Sequence, residues 1–437
     1  MFDFSSFLSN KAFITEDHHV YTYADLLGLS ERFSEHLVPR SLIFIGCENS
    51  LESIVAYVSC LRSGVVPLLL SRDVPDETLY HLEAIYHPRY CWFPSRRDLL
   101  VKGKEKYSLG GYSLIQYDGD SPVLPEGLAL LLTTSGSTGS PKLVRLSHDN
   151  LKSNACSIIE YLKITSSEKA ITSLPMYYSY GLSVLNSHLL AGATLLLTDK
   201  SYVQREFWKF VLEEKATSFA GVPFTYEILK KMRFEKFLPS SVKVMTQAGG
   251  KLNSSLIKYF SEYARLHDIR FYVMYGQTEA TARMSYLPAE YTLNKVGSVG
   301  VAIPGGHFSL IDEDGMRIVS PNVEGELVYE GSNVFWGYAE SLDDLFKGDE
   351  NKGILYTGDL AYVDSEGFYY ISGRKKRFLK LYGNRISLDF VESIVKDHCQ
   401  ECACVGSDDK LIVYVTDLDK IDSIKSVLSN RVLINPS

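Results

Sequence analysis

The chemistry-bearing residues of this 437-residue chain are densest between Leu130 and Lys142. There Leu-Leu-Leu-Thr-Thr-Ser-Gly-Ser-Thr-Gly-Ser-Pro-Lys runs an apolar strand into a loop of hydroxyls and glycines closed by a lysine. Glycines let successive backbone N–H groups turn toward one anion, hydroxyls add donors, and Lys142 adds charge, which is the makeup of an anion nest. A flexible Ser/Gly surface loop is the alternative; the apolar strand before it and the Pro-Lys closure favour phosphate binding. The Walker pattern does not fit, because Pro141 precedes Lys142 and Leu143 follows it. An ordinary P-loop nucleotidase is therefore disfavoured.

Three other groups of residues invite a chemical reading. Asp359, in Thr357-Gly-Asp359, is able to accept two hydrogen bonds from a diol, although the tripeptide alone reads as a turn before a strand at Leu360 to Val363. The run Arg374-Lys375-Lys376-Arg377 is a compact basic cluster. His398-Cys399-Gln-Glu-Cys402-Ala-Cys404 contains a Cys-x-x-Cys step, yet no second Cys/His pair stands at zinc-ligand spacing, so buried thiols are the simpler account.

The elements that must position these groups follow from periodicity. Between Phe13 and Thr198 strands alternate with helices, among them a strand at Ser41 to Ile45, a helix at Glu52 to Ser63, a strand at Val66 to Leu70 and a helix at Asp76 to Tyr86. After Gly297, turn pairs such as Asp314-Gly315 and Glu366-Gly367 punctuate short strands, which suggests antiparallel structure. Beyond the basic cluster, helical spacing over Ser387 to Asp397 and a strand at Leu411 to Thr416 suggest a small α+β unit.

Composition narrows the classes of function. The net charge of −8 and the lack of a long Lys/Arg block give no footprint for a nucleic-acid partner. Apolar runs such as Val65 to Leu70 are far shorter than the ~20 residues of a membrane span, and Met1 to Phe7 lacks a signal-peptide pattern. Seven dispersed cysteines do not make a disulfide framework. A cytoplasmic chain with reduced thiols is expected.

Further motifs follow the phosphate loop in order: Leu174-Pro-Met-Tyr-Tyr-Ser-Tyr-Gly-Leu182, Gln247-Ala-Gly-Gly-Lys-Leu252, Tyr275-Gly-Gln-Thr-Glu-Ala280, Gly325-Glu-Leu327, Thr357-Gly-Asp359 and Gly373-Arg-Lys-Lys-Arg-Phe-Leu-Lys-Leu-Tyr-Gly383. The series resembles the signature of the AMP-forming adenylating superfamily, which holds acyl-CoA synthetases, peptide-synthetase adenylation domains and beetle luciferases. Acyl-CoA synthetase-like acid ligases are nearest. The resemblance implies an α/β (α+β) fold: a large multi-subdomain N-terminal domain, 1–375, with layered α/β sheets and a distorted β-barrel part, then a small hinged C-terminal α+β domain, 376–437, that looks shortened. It also implies a ligase that joins a carboxylate to ATP with Mg²⁺, releases pyrophosphate, and passes the acyl group from AMP to the thiol of CoA or of a carrier-protein phosphopantetheine. The partners so implied are a small carboxylic acid and, if the thiol is a carrier's, an acyl carrier protein.

The same resemblance assigns roles. Thr134, Ser135, Gly136, Ser137, Thr138, Gly139 and Lys142 would hold the β- and γ-phosphates, Thr278 the α-phosphate, and Glu279 the magnesium. Tyr275 would stack on adenine, with Gly249 and Gly250 as an unobstructed backbone surface and Gly276 and Gln277 beside them. Asp359 and Arg374 would take the ribose. Tyr178, Ser179, Tyr180, Gly181, Gly250 and Met274 would line the acid, and no carboxylate occurs from Pro175 to Leu185 to pair with an α-amine, so amino acids are disfavoured. Lys376 would be the hinge, Lys380 would approach the phosphate in the rotated state, and Gly383 would line the thiol tunnel. Lys142, Thr278, Glu279, Arg374 and Lys380 are the catalytic set. The family's C-terminal Gly-Lys motif has no match, Lys420 and Lys425 lying in a helical pattern, which implies an adenylation step slower than thiol transfer. Two further readings stay open: an adenylation protein that loads only a carrier protein, and a nucleotide or acyl-adenylate binder without catalysis.

Overall fold

A computed structural model describes residues 1–95, 103–133, 142–375, 378–381, 384–399, 401–407 and 410–432, with backbone alone over 378–381, 384–387, 389, 407 and 429–432. They form two compact units: Met1–His307 with Glu330–Leu355, and Phe308–Tyr329 with Tyr356–Ser437.

The first unit holds two large mixed sheets. In one, eight strands run Gly337–Ala339, Leu143–Ser147, Leu128–Thr133, Val66–Ser71, Leu42–Cys47, Tyr90–Pro94, Tyr112–Tyr117, Gly103–Leu109. Its centre is parallel, and Leu42–Cys47 is buried at every position, as expected of a strand covered on both faces. Leu51–Ser63 covers it, started by the Ser50 hydroxyl on the Ser53 N–H and stopped by Gly64 in the left-handed region. The other sheet has nine strands, of which Arg270–Tyr275, Val244–Gln247, Ser218–Gly221, Lys169–Ile171, Thr194–Leu196 and Lys11–Ile14 form a parallel centre. The alternating elements expected from Phe13 onward are thus present, the helices at Leu51–Ser63 and Asp76–Tyr86 included.

Two features of the first unit set up the site. Leu128–Thr133 pairs with Leu143–Ser147 antiparallel, with Thr133 opposite Leu143, so the two ends of the Ser/Gly loop are clamped side by side. Then Gly337–Ala339, nearly two hundred residues later in the chain, adds to the outer side of Leu143–Ser147, with Tyr338 opposite Val144 and Gly337 opposite Arg145. The Arg145 side chain is 0 % exposed. Its guanidinium pairs with the Glu350 carboxylate and donates to the carbonyls of Lys347, Gly348 (3.2 Å), Trp336 (3.2 Å) and Tyr338 (3.3 Å). Burial pulls its pKa below the usual arginine value, against the opposing pull of Glu350. Gly337 is required beside it, at φ +135°, because a Cβ there would come within 2.6 Å of Arg145 Nη2 and 2.4 Å of Glu350 Oε2.

In the second unit, five strands run in the order Arg317–Ile318, Phe308-containing Gly306–Ile311, Gly325–Gly331, Ile354–Val363 and Tyr369–Arg374. These are the short strands expected after Gly297, and among the described residues Arg317–Ile318 and Tyr369–Arg374 stand at the two ends of the strand order. Thr357-Gly-Asp359 lies inside the long strand Ile354–Val363 and is not the turn that its composition suggests. The helix Leu388–Lys396 and the hairpin of Cys402–Ser407 with Lys410–Val415 share a small core that includes Val391, Val395, Cys399 and Cys404.

Removing the Arg145 side chain takes a donor from four carbonyls and the partner from Glu350, whose side chain is 47% exposed. Arg145→Ala should lower stability by about 2–4 kcal/mol, from lost packing and hydrogen bonds of a buried side chain, read as a shift of the first urea-unfolding midpoint. A loss below about 1 kcal/mol would show that water replaces these contacts.

Candidate active site

The Tyr275-Gly-Gln-Thr-Glu motif leaves the parallel strand Arg270–Tyr275 and returns through Ser285–Leu287 after a tight turn. Two observations explain its tightness. A Cβ on Gly276 would lie 1.7 Å from the Ala282 carbonyl oxygen, so only glycine fits, and the Met284 N–H donates to the Tyr275 carbonyl at 2.9 Å. Thr281 and Ala282 take positive φ, +61° and +135°, conformations that non-glycine residues hold only under outside constraint. The constraint comes from the segment after Gly331. Asn333 Nδ2 donates to the carbonyls of Ala280 (2.8 Å) and Arg283 (3.2 Å), Thr281 Oγ1 donates to the Asn333 carbonyl at 2.6 Å, and the Phe335 N–H donates to the Glu279 carbonyl at 2.9 Å.

This turn meets the aromatic motif. Ser179 begins the helix Ser179–Leu190, and its hydroxyl is 3.2 Å from Thr278 Oγ1. Gly181 is pressed against the Pro175 carbonyl, where a Cβ would stand 2.2 Å away. Tyr180 is 3 % exposed and bonds Thr246 Oγ1 at 2.8 Å, so it is a packed side chain. The Tyr178 hydroxyl points at Gly249, whose φ is +81° and whose Cβ would lie 2.4 Å from that oxygen. Gln247 Nε2 donates to the Gly250 carbonyl at 2.9 Å and holds the glycine pair at the end of its strand. The Tyr275 hydroxyl accepts from Gln277 Nε2 at 3.2 Å. The first unit thereby brings Tyr178, Ser179, Gly249, Gly250, Tyr275, Gln277 and Thr278 to the strand ends of one sheet.

Lys142 and Glu279 are joined through a residue that sequence reasoning missed. Tyr338 donates its hydroxyl to Glu279 Oε1 at 2.7 Å, and Lys142 Nζ lies 5.6 Å from the centre of the Tyr338 ring while pairing with Glu340 at 2.6 Å. Burial and the neighbouring Glu279 carboxylate raise the Tyr338 pKa, so it stays a donor at any ordinary pH. The pairing of Gly337–Ala339 with Leu143–Ser147 delivers Tyr338 there, and no local signal around Trp336-Gly-Tyr338 announces it.

In the second unit, the expected ribose residues face each other across two strands. Asp359 stands opposite Arg374 in the ladder, and Arg374 Nε is 3.2 Å from Asp359 Oδ1. Asp359 is 3 % exposed, and its N–H donates to Thr357 Oγ1 at 3.1 Å. Lys375 pairs with Glu326, of the Gly-Glu-Leu motif, at 2.6 Å. The loop residues Thr134, Ser135, Gly136, Ser137, Thr138 and Gly139, the hinge Lys376 and Gly383 lie outside the described residues. Lys380 sits in the strand Phe378–Leu381, opposite Arg385 in a hairpin with Asn384–Ser387.

Gly249 offers a clean test of this geometry. Gly249→Ala should destabilise the chain by about 1–3 kcal/mol, from left-handed strain plus the approach to Tyr178. Adding Tyr178→Phe should return the steric part and leave the strain, so thermal melting of the double variant falls between wild type and the single variant. Equal melting of all three proteins would remove the contact.

Comparison with known proteins agrees with the geometry. Residues 6–339 match the family model described as AMP-binding enzyme. The 2-succinylbenzoate–CoA ligase of Bacillus cereus is 32% identical over 427 residues, covering 93% of this chain and 86% of its own. The ligase of the same name from Bacillus subtilis is 26% identical, covering 91% and 82%. In fold, the chain is similar to the o-succinylbenzoate CoA synthetase of Bacillus subtilis in complex with its acyl-adenylate intermediate, with a TM-score of 0.77 at 24% identity over 97% of this chain and 89% of that one. With its ordered motifs, its mixed α/β sheets and these relatives, the chain belongs to the AMP-binding enzyme family and is an AMP-forming acid–thiol ligase.

Proposed function

We propose that this chain adenylates 2-succinylbenzoate, or an aromatic dicarboxylate of its kind, and transfers the acyl group to CoA. The observation that carries the reading is the joining of the aromatic motif to the Thr-Glu turn, Ser179 on Thr278 at 3.2 Å, in a chain whose relatives are named as 2-succinylbenzoate–CoA ligases. The relatives' names favour CoA over a carrier-protein thiol as acceptor. None of the seven cysteines is in a disulfide, which suits a reducing cytoplasm, and among the described residues no helix is long and apolar enough to cross a membrane.

Attack of a carboxylate on the α-phosphate brings two anions together, so the protein's task is to supply donors and positive charge where charge accumulates. In this reading the Thr278 hydroxyl takes the α-phosphate, and Ser179, 3.2 Å away, orients it. Lys142 holds Glu340 in an exposed pair worth about 1 kcal/mol or less, readily exchanged for a polyphosphate. To Thr134–Gly139 we assign the β- and γ-phosphates. Among the described residues no cluster of three or more acidic, His or Cys side chains makes a metal cage. Glu279 has one oxygen engaged by Tyr338 and one to offer, which fits a magnesium ion that arrives on the phosphates and takes a single carboxylate. Bound there, that ion neutralises phosphate charge. Tyr275 and the Gly249-Gly250 backbone take the adenine. Asp359, steadied by Arg374, takes the ribose diol. We assign residues 376–437 to a domain that turns about Lys376 between the half-reactions, with Lys380 and Gly383 on its working face.

The test is ATP–pyrophosphate exchange over a panel of acids, followed by mass detection of the CoA thioester. 2-Succinylbenzoate should drive exchange, and standard α-amino acids should be poor; a best substrate among the amino acids would refute the acid pocket. Asp359→Ala removes a buried acceptor and should weaken AMP binding roughly five- to hundred-fold in calorimetry. Unchanged affinity would detach Asp359 from the nucleotide.

A further inference from the structure

Two arginines of the first unit are almost fully buried, and they differ in one respect. Arg145 has a carboxylate, Glu350, and four carbonyls. Arg283, 2 % exposed, has no acidic partner among the described residues. Its Nε donates to Ser183 Oγ at 3.0 Å, its Nη1 to the Tyr161 hydroxyl at 2.9 Å and to the Met274 sulfur at 3.5 Å, and its guanidinium lies 5.1 Å from the centre of the Tyr180 ring. Nη2 has no acceptor among the described residues. A small cavity with space of about 20 Å³, enough for a single water, borders Arg283, His188 and Thr246. Glu168 borders the same cavity but takes the Thr217 hydroxyl instead. His188 stays neutral beside it: burial, aided by Arg283, pushes its pKa down to about 4.

A buried cation compensated only by hydroxyls, a thioether and a ring face is costly, and the cost is recovered when an anion arrives. The surroundings say which anion. Tyr180 and Met274, which hold Arg283, are two of the residues expected to line the acid. Ser183 is one helical turn beyond Ser179, about 6 Å along the axis, and Ser179 contacts Thr278, the residue to which the proposed function gives the α-phosphate.

We infer that Arg283 is the specificity-determining residue for the acid: it binds a second carboxylate at the far end of the substrate, selecting dicarboxylic acids whose two carboxyls are separated by about five atoms. This deepens the proposed function and rests on its placement of the acid.

The test compares 2-succinylbenzoate with 4-oxo-4-phenylbutanoate, the same acid without the ring carboxylate, by ATP–pyrophosphate exchange. Wild type should prefer the diacid at least about a hundred-fold in kcat/KM, mostly through KM. Arg283→Gln should reduce that preference to within about three-fold, and Arg283→Lys should keep an intermediate preference. AMP affinity measured by calorimetry identifies variants that have lost their fold, and the wild-type preference stands independently of them. No diacid preference in wild type, or a loss in Arg283→Gln that is equal for both acids, overturns the inference and leaves the ligase reading intact. A different diacid used in preference to 2-succinylbenzoate, with the preference abolished in Arg283→Gln, upholds Arg283 and overturns the named substrate.

Discussion

The geometry of the first unit depends on the closure of one turn, Gly276 to Met284. Its backbone passes so close to itself that Gly276 cannot carry a side chain, and two non-glycine residues within it are held at positive φ. Such a turn does not persist on its own torsional preferences. It is held by donors and acceptors from Asn333 and Phe335, which occupy the carbonyls of Glu279, Ala280 and Arg283. Thr278, Glu279 and Arg283 project from this one frame toward Ser179, Tyr338 and Ser183 respectively. Strain stored here is offset by hydrogen bonds made some fifty residues away.

Charges are distributed unevenly across the molecule, and the differences are informative. Arg145 is buried with every requirement met, and it fastens one segment of chain to another. The Lys142–Glu340 pair is exposed and exchangeable. Asp359 is buried while its partner Arg374 is 68% exposed, so that pair lies between the other two in burial. Arg283 is buried and lacks a counter-charge from the described protein, the arrangement with the largest gain on binding an anion.

Much of this was legible because it is local. The helix Leu51–Ser63 is announced by its serine cap and terminal glycine, and Leu42–Cys47 by an unbroken apolar run. Tyr275 to Glu279, the aromatic motif and the glycine pair are short sequences whose order along the chain carries the family resemblance. The elements that were not legible act across long separations. Tyr338 reaches Glu279 from 59 positions away, and Arg145 meets Glu350 across 205. A tyrosine in an ordinary aromatic stretch and an arginine in an apolar strand carry no mark of a distant partner. Thr357-Gly-Asp359 reads as a turn only when taken alone: its turn-forming residues are drawn into a long strand by pairing with Tyr369–Arg374.

The lateness of Gly337–Ala339 in the chain has a consequence for biogenesis. Leu143–Ser147 is synthesised nearly two hundred residues before the strand that covers its outer side, and until then its row of peptide groups is a bare margin open to any other extended segment. Arg145 stands in the middle of that margin. While the nascent chain is incomplete, its hydrated charge guards an otherwise apolar Leu-Val-Arg-Leu strand against intermolecular pairing. When Trp336 to Glu350 emerge, the same side chain receives its carboxylate and carbonyls and is sealed inside. One arginine thus serves first as a gatekeeper against aggregation and then as the rivet of the finished sheet.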